Sequence, residues 1–406
     1  TPHNPFAVCG TLELLGGFMN KKLIPLCACA LFIGAAVLTS CGSQVTDKDI
    51  FAISYNLSDP NMSGLWKPGL ETASEKYGYN KIELFDAKND DAEALKMVET
   101  AGTQAYGGYL INVVDQTNGL SYINKIKDTG KPVIFWNREL STPTGEVDVD
   151  TMKSYDNAYY VGIESAEGGR YQGAMAAEYI NSVGFDAIDR NGDGKLGVIV
   201  VRGEKGHADA EARTQWSPAY LERNLEGGNS NAELKATAGG SYEVNTEKGA
   251  WNKVEVTDIV DGTDTAGTTW DPVTAANEVA RVLNSKGDQI DLVLSNNDGM
   301  ALGIITNQAF IDAGIPIWGV DALDDALTEI KKEGQFKGTV KNDGAAQADV
   351  CVKALDNLIQ SKSLTDGMTV VSTKEEWEAN DKAVWYDSAN KALRVHHAKI
   401  TAESLK

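Results

Sequence analysis

Continuous runs of Val, Ile, Leu and Phe alternate with helix-length stretches through most of this 406-residue chain. Apolar runs without polar alternation are typical of strands buried on both faces, as in parallel sheets covered by helices. The strand–helix alternation therefore predicts an α/β fold with parallel sheets. About ten strands over roughly 350 residues exceed one doubly wound domain, so we predict two. The predicted strands are 50–54, 81–85, 108–113, 132–136, 159–163, 198–201, 254–260, 292–294, 316–320 and 338–340.

Polar side chains follow the carboxyl ends of many of these runs. Ligands of open parallel sheets bind beyond the carboxyl ends of the strands, so these side chains are expected to converge on one cleft. Each has a structural alternative, because Asp and Asn commonly cap the next helix and a lone His is more often structural. The candidates are Asp59, Asn112, Asp115, Asn137, Arg138, His207, Asp209, Arg213, Asn296, Asn297, Asp298, Asp321, Asn342 and Asp343.

Mixed amides, carboxylates, Arg and His suit a neutral polyol, because they offer both donors and acceptors to adjacent hydroxyls. Aromatic rings also cover the C–H faces of sugars. Trp270 and Trp136 are candidates for this contact, although either could belong to the core. The charge of −21, from 37 basic and 58 acidic residues, argues against nucleic acid and anionic membrane surfaces as partners.

The N-terminal region has the pattern of an export signal. Met19-Asn20-Lys21-Lys22 precedes the apolar run 23–38, and small residues follow before Cys41. An uncleaved membrane helix is the alternative, but the run is shorter than the roughly 20 residues that a spanning helix prefers. We interpret 1–18 as an upstream extension outside the native protein, 19–40 as a signal peptide and 41–47 as a tether. Beyond the signal only Cys41 and Cys351 occur, so no structural disulfide is expected.

The segment 189–195 has half of a calcium-binding pattern. Asp189, Asn191 and Asp193 occupy loop positions 1, 3 and 5, and position 7 would use the Lys195 carbonyl. Gly197 at position 9 has no side chain, and Val200 at position 12 replaces the usual Glu. A plain acidic turn is the alternative, because Asn-Gly and Asp-Gly favour turns.

The chain resembles the bacterial periplasmic galactose/glucose-binding proteins of sugar ABC transporters, a type 1 periplasmic binding protein family. The similarity covers about residues 50–360 and is most specific in Gly206-His-Ala-Asp-Ala-Glu-Ala-Arg213. Other matching stretches are 154–162, 189–194, 296–298, 318–323 and 338–343. The Leu38-Thr-Ser-Cys41 sequence also resembles a lipoprotein box, which implies lipidation of Cys41.

The resemblance implies two doubly wound α/β lobes joined by three crossovers, near Ile163–Glu164, near Asn342 and in the tail. The lobes would span 48–163 plus 343–365 and 164–342, with 366–406 crossing back over both. By the same resemblance, the sugar would be stacked on Trp270 and held by Asp59, Asn137, His207, Asp209, Arg213, Asn297, Asp321 and Asn342. Calcium would be held by Asp189, Asn191, Asp193, the Lys195 carbonyl and Asp291.

The resemblance also implies a monomeric, lipid-anchored receptor on the periplasmic or extracytoplasmic face of a bacterial membrane. It would deliver glucose or galactose to an ABC transporter permease with its ATPase, and a chemoreceptor is a further partner that the resemblance allows. Three departures bear on this. Asn61 stands where the family has a second stacking aromatic, Gly197 stands at a glutamine ligand of calcium, and the excursion 226–269 is longer than usual.

Two other classes of protein fit the sequence less well. A glycosidase needs an isolated acid/base pair of carboxylates, whereas the set here is mixed, so no enzymatic activity is predicted. A sugar-responsive repressor would need a basic helix-turn-helix at its N-terminus, where this chain has the export pattern.

Overall fold

The computed structural model describes residues 45–143, 146–237 and 240–406. Residues 45–406 form one compact unit. The predicted upstream extension, signal peptide, Cys41 and the first part of the tether lie outside the described residues. Within these ranges we find no helix with the length and apolar character that crossing a membrane requires.

The strands fall close to the predicted runs, and most of these runs are fully buried. In chain order they are β1 Asp49–Ser54, β2 Lys81–Asp86, β3 Gly108–Ile111, β4 Val133–Trp136, β5 Ala158–Gly162, β6 Leu196–Arg202, β7 Leu234–Ala236, β8 Tyr242–Val244, β9 Val254–Asp261, β10 Leu292–Ser295, β11 Ile317–Val320, β12 Phe336–Lys341, β13 Val370–Val371, β14 Val384–Asp387, β15 Ala392–Arg394 and β16 Ala398–Thr401.

The helices occupy most of the intervening stretches. They are α1 Lys67–Tyr77, α2 Asp91–Gly102, α3 Gly119–Ile126, α4 Val149–Lys153, α5 Ser165–Val183, α6 Ala208–Asn224, α7 Pro272–Lys286, α8 Asp298–Ile304, α9 Gln308–Ala313, α10 Asp324–Lys331, α11 Gly344–Ile359 and α12 Lys374–Glu378. A π-helical turn, Met62–Trp66, leads directly into α1.

Two sheets organise the unit. The first has the order β13-β14-β15-β5-β4-β3-β1-β2, and the second has the order β16-β12-β11-β10-β6-β9. β1 to β5 pair in parallel, as do β6 and β9 to β12. The chain passes between the sheets after β5, after β12 and between β15 and β16. The predicted fold class, two parallel α/β lobes joined by three crossovers, is thereby confirmed.

The third crossover is fixed to the first by a buried cluster. Glu167, at the start of α5, accepts hydrogen bonds from His396 Nδ1 at 2.8 Å and His397 Nδ1 at 2.9 Å. Burial alone would raise the pKa of Glu167, but its hydrogen bonds to the two histidines lower it to about 2. The ring of His396 also stacks on Trp377, with centroids 3.8 Å apart.

The tail combines short strands with a short helix. In the run 370–377 only Val370–Val371 is a strand, and Trp377 lies in α12. Thr373 caps that helix through the Glu376 N–H, which stops the strand. The run 392–400 divides into β15, parallel to β5 in the first sheet, and β16, antiparallel to β12 in the second.

The excursion 226–269 contains a hairpin that the sequence analysis missed. One strand was expected there, whereas β7 and β8 form an additional antiparallel pair before β9. The buried Glu222 of α6 anchors the base of this excursion. Its Oε1 accepts from the backbone N–H groups of Asn229 and Asn252, and its Oε2 accepts from those of Lys253 and Val254, at 2.6 to 2.9 Å.

Apolar clusters cover both faces of each sheet. Cys351 of α11 lies fully buried on the first sheet as a free thiol. In the second lobe, Gln172 of α5 donates from Nε2 to the carbonyls of Ser295 at 2.7 Å and Trp318 at 3.1 Å. This amide therefore ties the ends of β10 and β11 together beneath the cleft.

We predict that Glu222→Gln lowers the free energy of unfolding by about 1–3 kcal/mol, because the amide nitrogen cannot accept the N–H groups that now share a carboxylate oxygen. Urea denaturation monitored by circular dichroism measures the change. Glu226→Gln, at an exposed position nearby, serves as the control and should change stability little. Equal stability of the two variants would contradict the anchoring role.

Candidate functional site

All nine predicted binding residues line one chamber between the sheets. Asp59 and Asn137 come from the first lobe and the other seven from the second. The chamber has a volume of about 30 Å³ as the lobes stand, enough for about two water molecules. The full set is Asp59, Asn137, His207, Asp209, Arg213, Trp270, Asn297, Asp321 and Asn342.

His207, Asp209 and Arg213 lie at the start of α6, directly beyond β6. His207 Nδ1 accepts the Asp209 N–H at 3.2 Å, so His207 caps the helix as well as lining the chamber. Arg213 Nη2 lies 3.9 Å from Asp209 Oδ2, and its Nη1 donates to the Asn296 carbonyl at 3.0 Å. Arg213 Nε, also buried, has no partner among the described residues.

The charges of this group are set by burial and by one another. Burial, followed by the positive charge of Arg138, lowers the pKa of His207 to about 4, so the ring is neutral at physiological pH. Burial alone would raise the pKa of Asp209, but Arg213, His207 and a hydrogen bond from Ser165 together lower it. Asp209 is therefore an ionised acceptor beside a neutral ring.

Asn297, Asp321 and Asn342 lie at the ends of β10, β11 and β12. Asn342 Nδ2 donates to Asp321 Oδ1 at 3.4 Å and is itself oriented by Gln347, whose Nε2 donates to Asn342 Oδ1 at 2.7 Å. Burial raises the pKa of Asp321 to about 7. Asn297 caps α8 through the Met300 N–H and also lines the chamber, so capping and site functions coincide.

Trp270 forms one wall, and close backbone approach holds it there. A Cβ on Gly203 would meet the indole at 2.0 Å, so only glycine allows this contact. The ring lies edge-on to His207, with centroids 5.5 Å apart, and its Nε1 donates to Glu204 at 3.4 Å. Trp136, the other candidate aromatic, is fully buried and packs against Trp66, so it belongs to the core.

Three residues of the chamber have strained backbone conformations. Asn137 has φ of 61°, Trp270 has φ of 58° and Asp321 has φ of 118°, all in the region that favours glycine. Such conformations cost of order 1–3 kcal/mol each and persist where the surroundings over-determine them.

Four further residues line the chamber. The sequence analysis missed Tyr55 and Met62. Arg138 was a strand-end candidate that the family resemblance did not select as a ligand, and Asn61 is the residue that stands at the family's second stacking position. Tyr55 donates to Asp59, and the Arg138 guanidinium lies 3.6 Å from the centre of the Tyr55 ring. Arg138 also forms an ion pair of 3.0 Å with Glu204 across the two lobes. The position of Arg138 in the sequence indicates a place at the site, because it directly follows Asn137 at the end of β4.

The predicted calcium loop is held by internal hydrogen bonds. Asp189 accepts from the backbone N–H groups of Gly192 and Gly194. The buried Asp291 accepts from Arg190 N at 2.8 Å and from Gly197 N at 2.7 Å, one hydrogen bond on each of its oxygens. No three His, Cys, Asp or Glu side chains in the described ranges lie close enough to share a metal. As arranged, the loop is held as a turn by its own hydrogen bonds.

Comparison with known proteins identifies what this architecture resembles. Residues 50–363 match the model of a family described as a periplasmic binding protein domain. The D-galactose/methyl-galactoside binding periplasmic protein MglB of Haemophilus influenzae is 30% identical over 350 residues, covering 86% of this chain and 91% of the relative. A xylitol-binding protein of Mycolicibacterium smegmatis is 28% identical, covering 82% of this chain and 80% of the relative.

Solved structures have the same fold. An ABC transporter solute binding protein from Bacillus halodurans with bound myo-inositol superposes with a TM-score of 0.60 at 21% identity, covering 90% of this chain and 98% of that one. An ABC transporter periplasmic solute binding protein from Actinobacillus succinogenes with bound D-allose gives 0.62 at 14% identity, covering 88% and 98%.

Proposed function

This chain belongs to the periplasmic binding protein family, and we propose that it binds glucose or galactose and delivers the sugar to the permease and ATPase of an ABC transporter. Its relatives bind solutes without transforming them, so the chain is a binding protein and not an enzyme. This also sets aside the glycosidase considered from the sequence.

The observation that carries the proposal is the convergence of nine polar and aromatic side chains from two lobes on one chamber. Carboxylates, amides and the Arg213 guanidinium can pair with the hydroxyls of a pyranose, while Trp270 offers a flat face. The galactoside-binding relative supports a hexose as the ligand. The neighbours with inositol and allose support the broader class of neutral polyols.

Closure of the lobes would supply selectivity. The 30 Å³ chamber is too small for a hexose as the lobes stand, so the sugar must enter while they are apart. A ligand favours the closed form only through contacts made in that form. Asp59 and Asn137 from one lobe and Asp209 and Arg213 from the other would make these contacts.

We predict that Asp209→Ala weakens binding of the preferred sugar by about 1–3 kcal/mol, because ligand hydroxyls and Arg213 lose an ionised acceptor. Isothermal calorimetry of the mature protein against a monosaccharide panel, including glucose and galactose, measures both the ligand and the loss. Asp128→Ala, at an exposed position, is the matched control and should bind as the parent does. Unchanged affinity in Asp209→Ala would contradict the site assignment.

Lipid anchoring of Cys41 on the extracytoplasmic face is part of the proposal, as is presentation of the bound sugar to a chemoreceptor. The lipoprotein box in the sequence supports the anchor. We expect Cys41→Ala to move the protein from the membrane fraction to the soluble fraction of cells that express the full chain. Retention of that variant in the membrane fraction would contradict the anchor.

Calcium binding at the loop is a separate proposal, with a condition set by the geometry. The chain offers five oxygen donors, from Asp189, Asn191, Asp193, Lys195 and Asp291, so water must complete the six that calcium takes. Asp291 would bind the ion through a lone pair that its two backbone hydrogen bonds leave free. We expect a chelator to lower the melting temperature of the parent and not that of Asp193→Ala. If the chelator leaves the melting temperature of the parent unchanged, the loop is only a turn.

A further inference from the structure

A second, larger chamber adjoins the predicted sugar site. It has a volume of about 580 Å³ and lies between the loops after β1 and β2 of the first lobe and the segment before α7 of the second. A volume of that size is typical of a small-molecule site. It shares with the inner chamber six lining residues: Tyr55, Asp59, Asn61, Trp270, Asn297 and Asp321.

Asn61 lies where the two chambers meet. Its backbone N–H donates to Asp59 Oδ1 at 2.7 Å, which fixes its position at the start of the π-helical turn. The residue is only 9% exposed, and its side-chain Oδ1 has no hydrogen-bond partner among the described residues. A buried acceptor without a partner costs free energy, and a ligand hydroxyl at the junction would supply the missing donor. The small side chain also leaves the passage open.

The lining of the outer chamber suits a second sugar ring. The side chains of Asn56 and Asn89 offer amides, and those of Ser58 and Thr268 offer hydroxyls. Pro60 and Pro272 provide apolar surface in opposite lobes. Such mixed groups pair with hydroxyls while the proline rings cover C–H faces.

We propose that the outer chamber is a subsite for a second sugar unit, and that Asn61 admits it and accepts one of its hydroxyls. The receptor therefore takes disaccharides as well as single hexoses. This inference rests on the proposed function, because the inner chamber must hold the first ring.

Calorimetry of the mature protein tests the subsite, with glucose and galactose measured beside lactose, melibiose, cellobiose and gentiobiose. We expect at least one disaccharide to bind within about tenfold of the better monosaccharide. Binding of a monosaccharide with no binding of any disaccharide overturns the subsite and leaves the proposed function standing. If no sugar binds, the proposed function is overturned. If only disaccharides bind, the subsite is supported and delivery of single hexoses is overturned.

Two variants test the role of Asn61 with the disaccharide that binds. Asn61→Phe fills the passage and should weaken the disaccharide at least tenfold more than it weakens the monosaccharide. Asn61→Ala keeps the passage open but removes the acceptor, and should weaken the disaccharide about threefold to tenfold. Asn284→Phe, on an exposed position of α7, controls for the added ring, and circular dichroism verifies that each variant is folded. Unchanged disaccharide affinity in both Asn61 variants would overturn its assignment.

Discussion

Charged groups buried between the two lobes are the constraint on which this structure depends. Arg138 of the first lobe is 2% exposed, and its only carboxylate within salt-bridge distance in the described ranges is Glu204 of the second. Burial alone would raise the pKa of Glu204, but Arg138, His207 and a hydrogen bond from Trp270 lower it. An isolated buried charge is strongly unfavourable, so with the lobes as they stand each of these two groups depends on its partner in the other lobe. Arg138 also lines the chamber, so this ion pair lies at the chamber wall.

Much of the fold could be predicted from the sequence because burial on both faces leaves a continuous apolar run. Polar strand-end residues in the chamber could be predicted for a related reason, since the ends of parallel strands meet at one edge. The choice of eight ligands and of Trp270 among the candidates came from the family resemblance. Tyr55 and Glu204 were missed because their contacts depend on how two separate sheets face each other. The β7–β8 hairpin and α12 were missed because each is short and contains few buried residues.

The left-handed backbone conformations at the site could not be predicted from the sequence either. Asn137, Trp270 and Asp321 adopt left-handed backbone conformations with ordinary side chains, and nothing in the pattern around them signals it. The surroundings that hold them are distant in the chain. Trp270 rests on Gly203, and Asp321 pairs with Asn342, so these conformations are a property of the assembled lobe and not of the local segment.

The final forty or so residues finish both sheets, since β15 pairs with the outer side of β5 and β16 with the outer side of β12. Until that segment arrives, each sheet has an open edge whose backbone groups are free to pair with other chains. Synthesis delivers β15 and β16 after every other strand of both sheets, so neither sheet can cover this edge until almost all of its strands have been made.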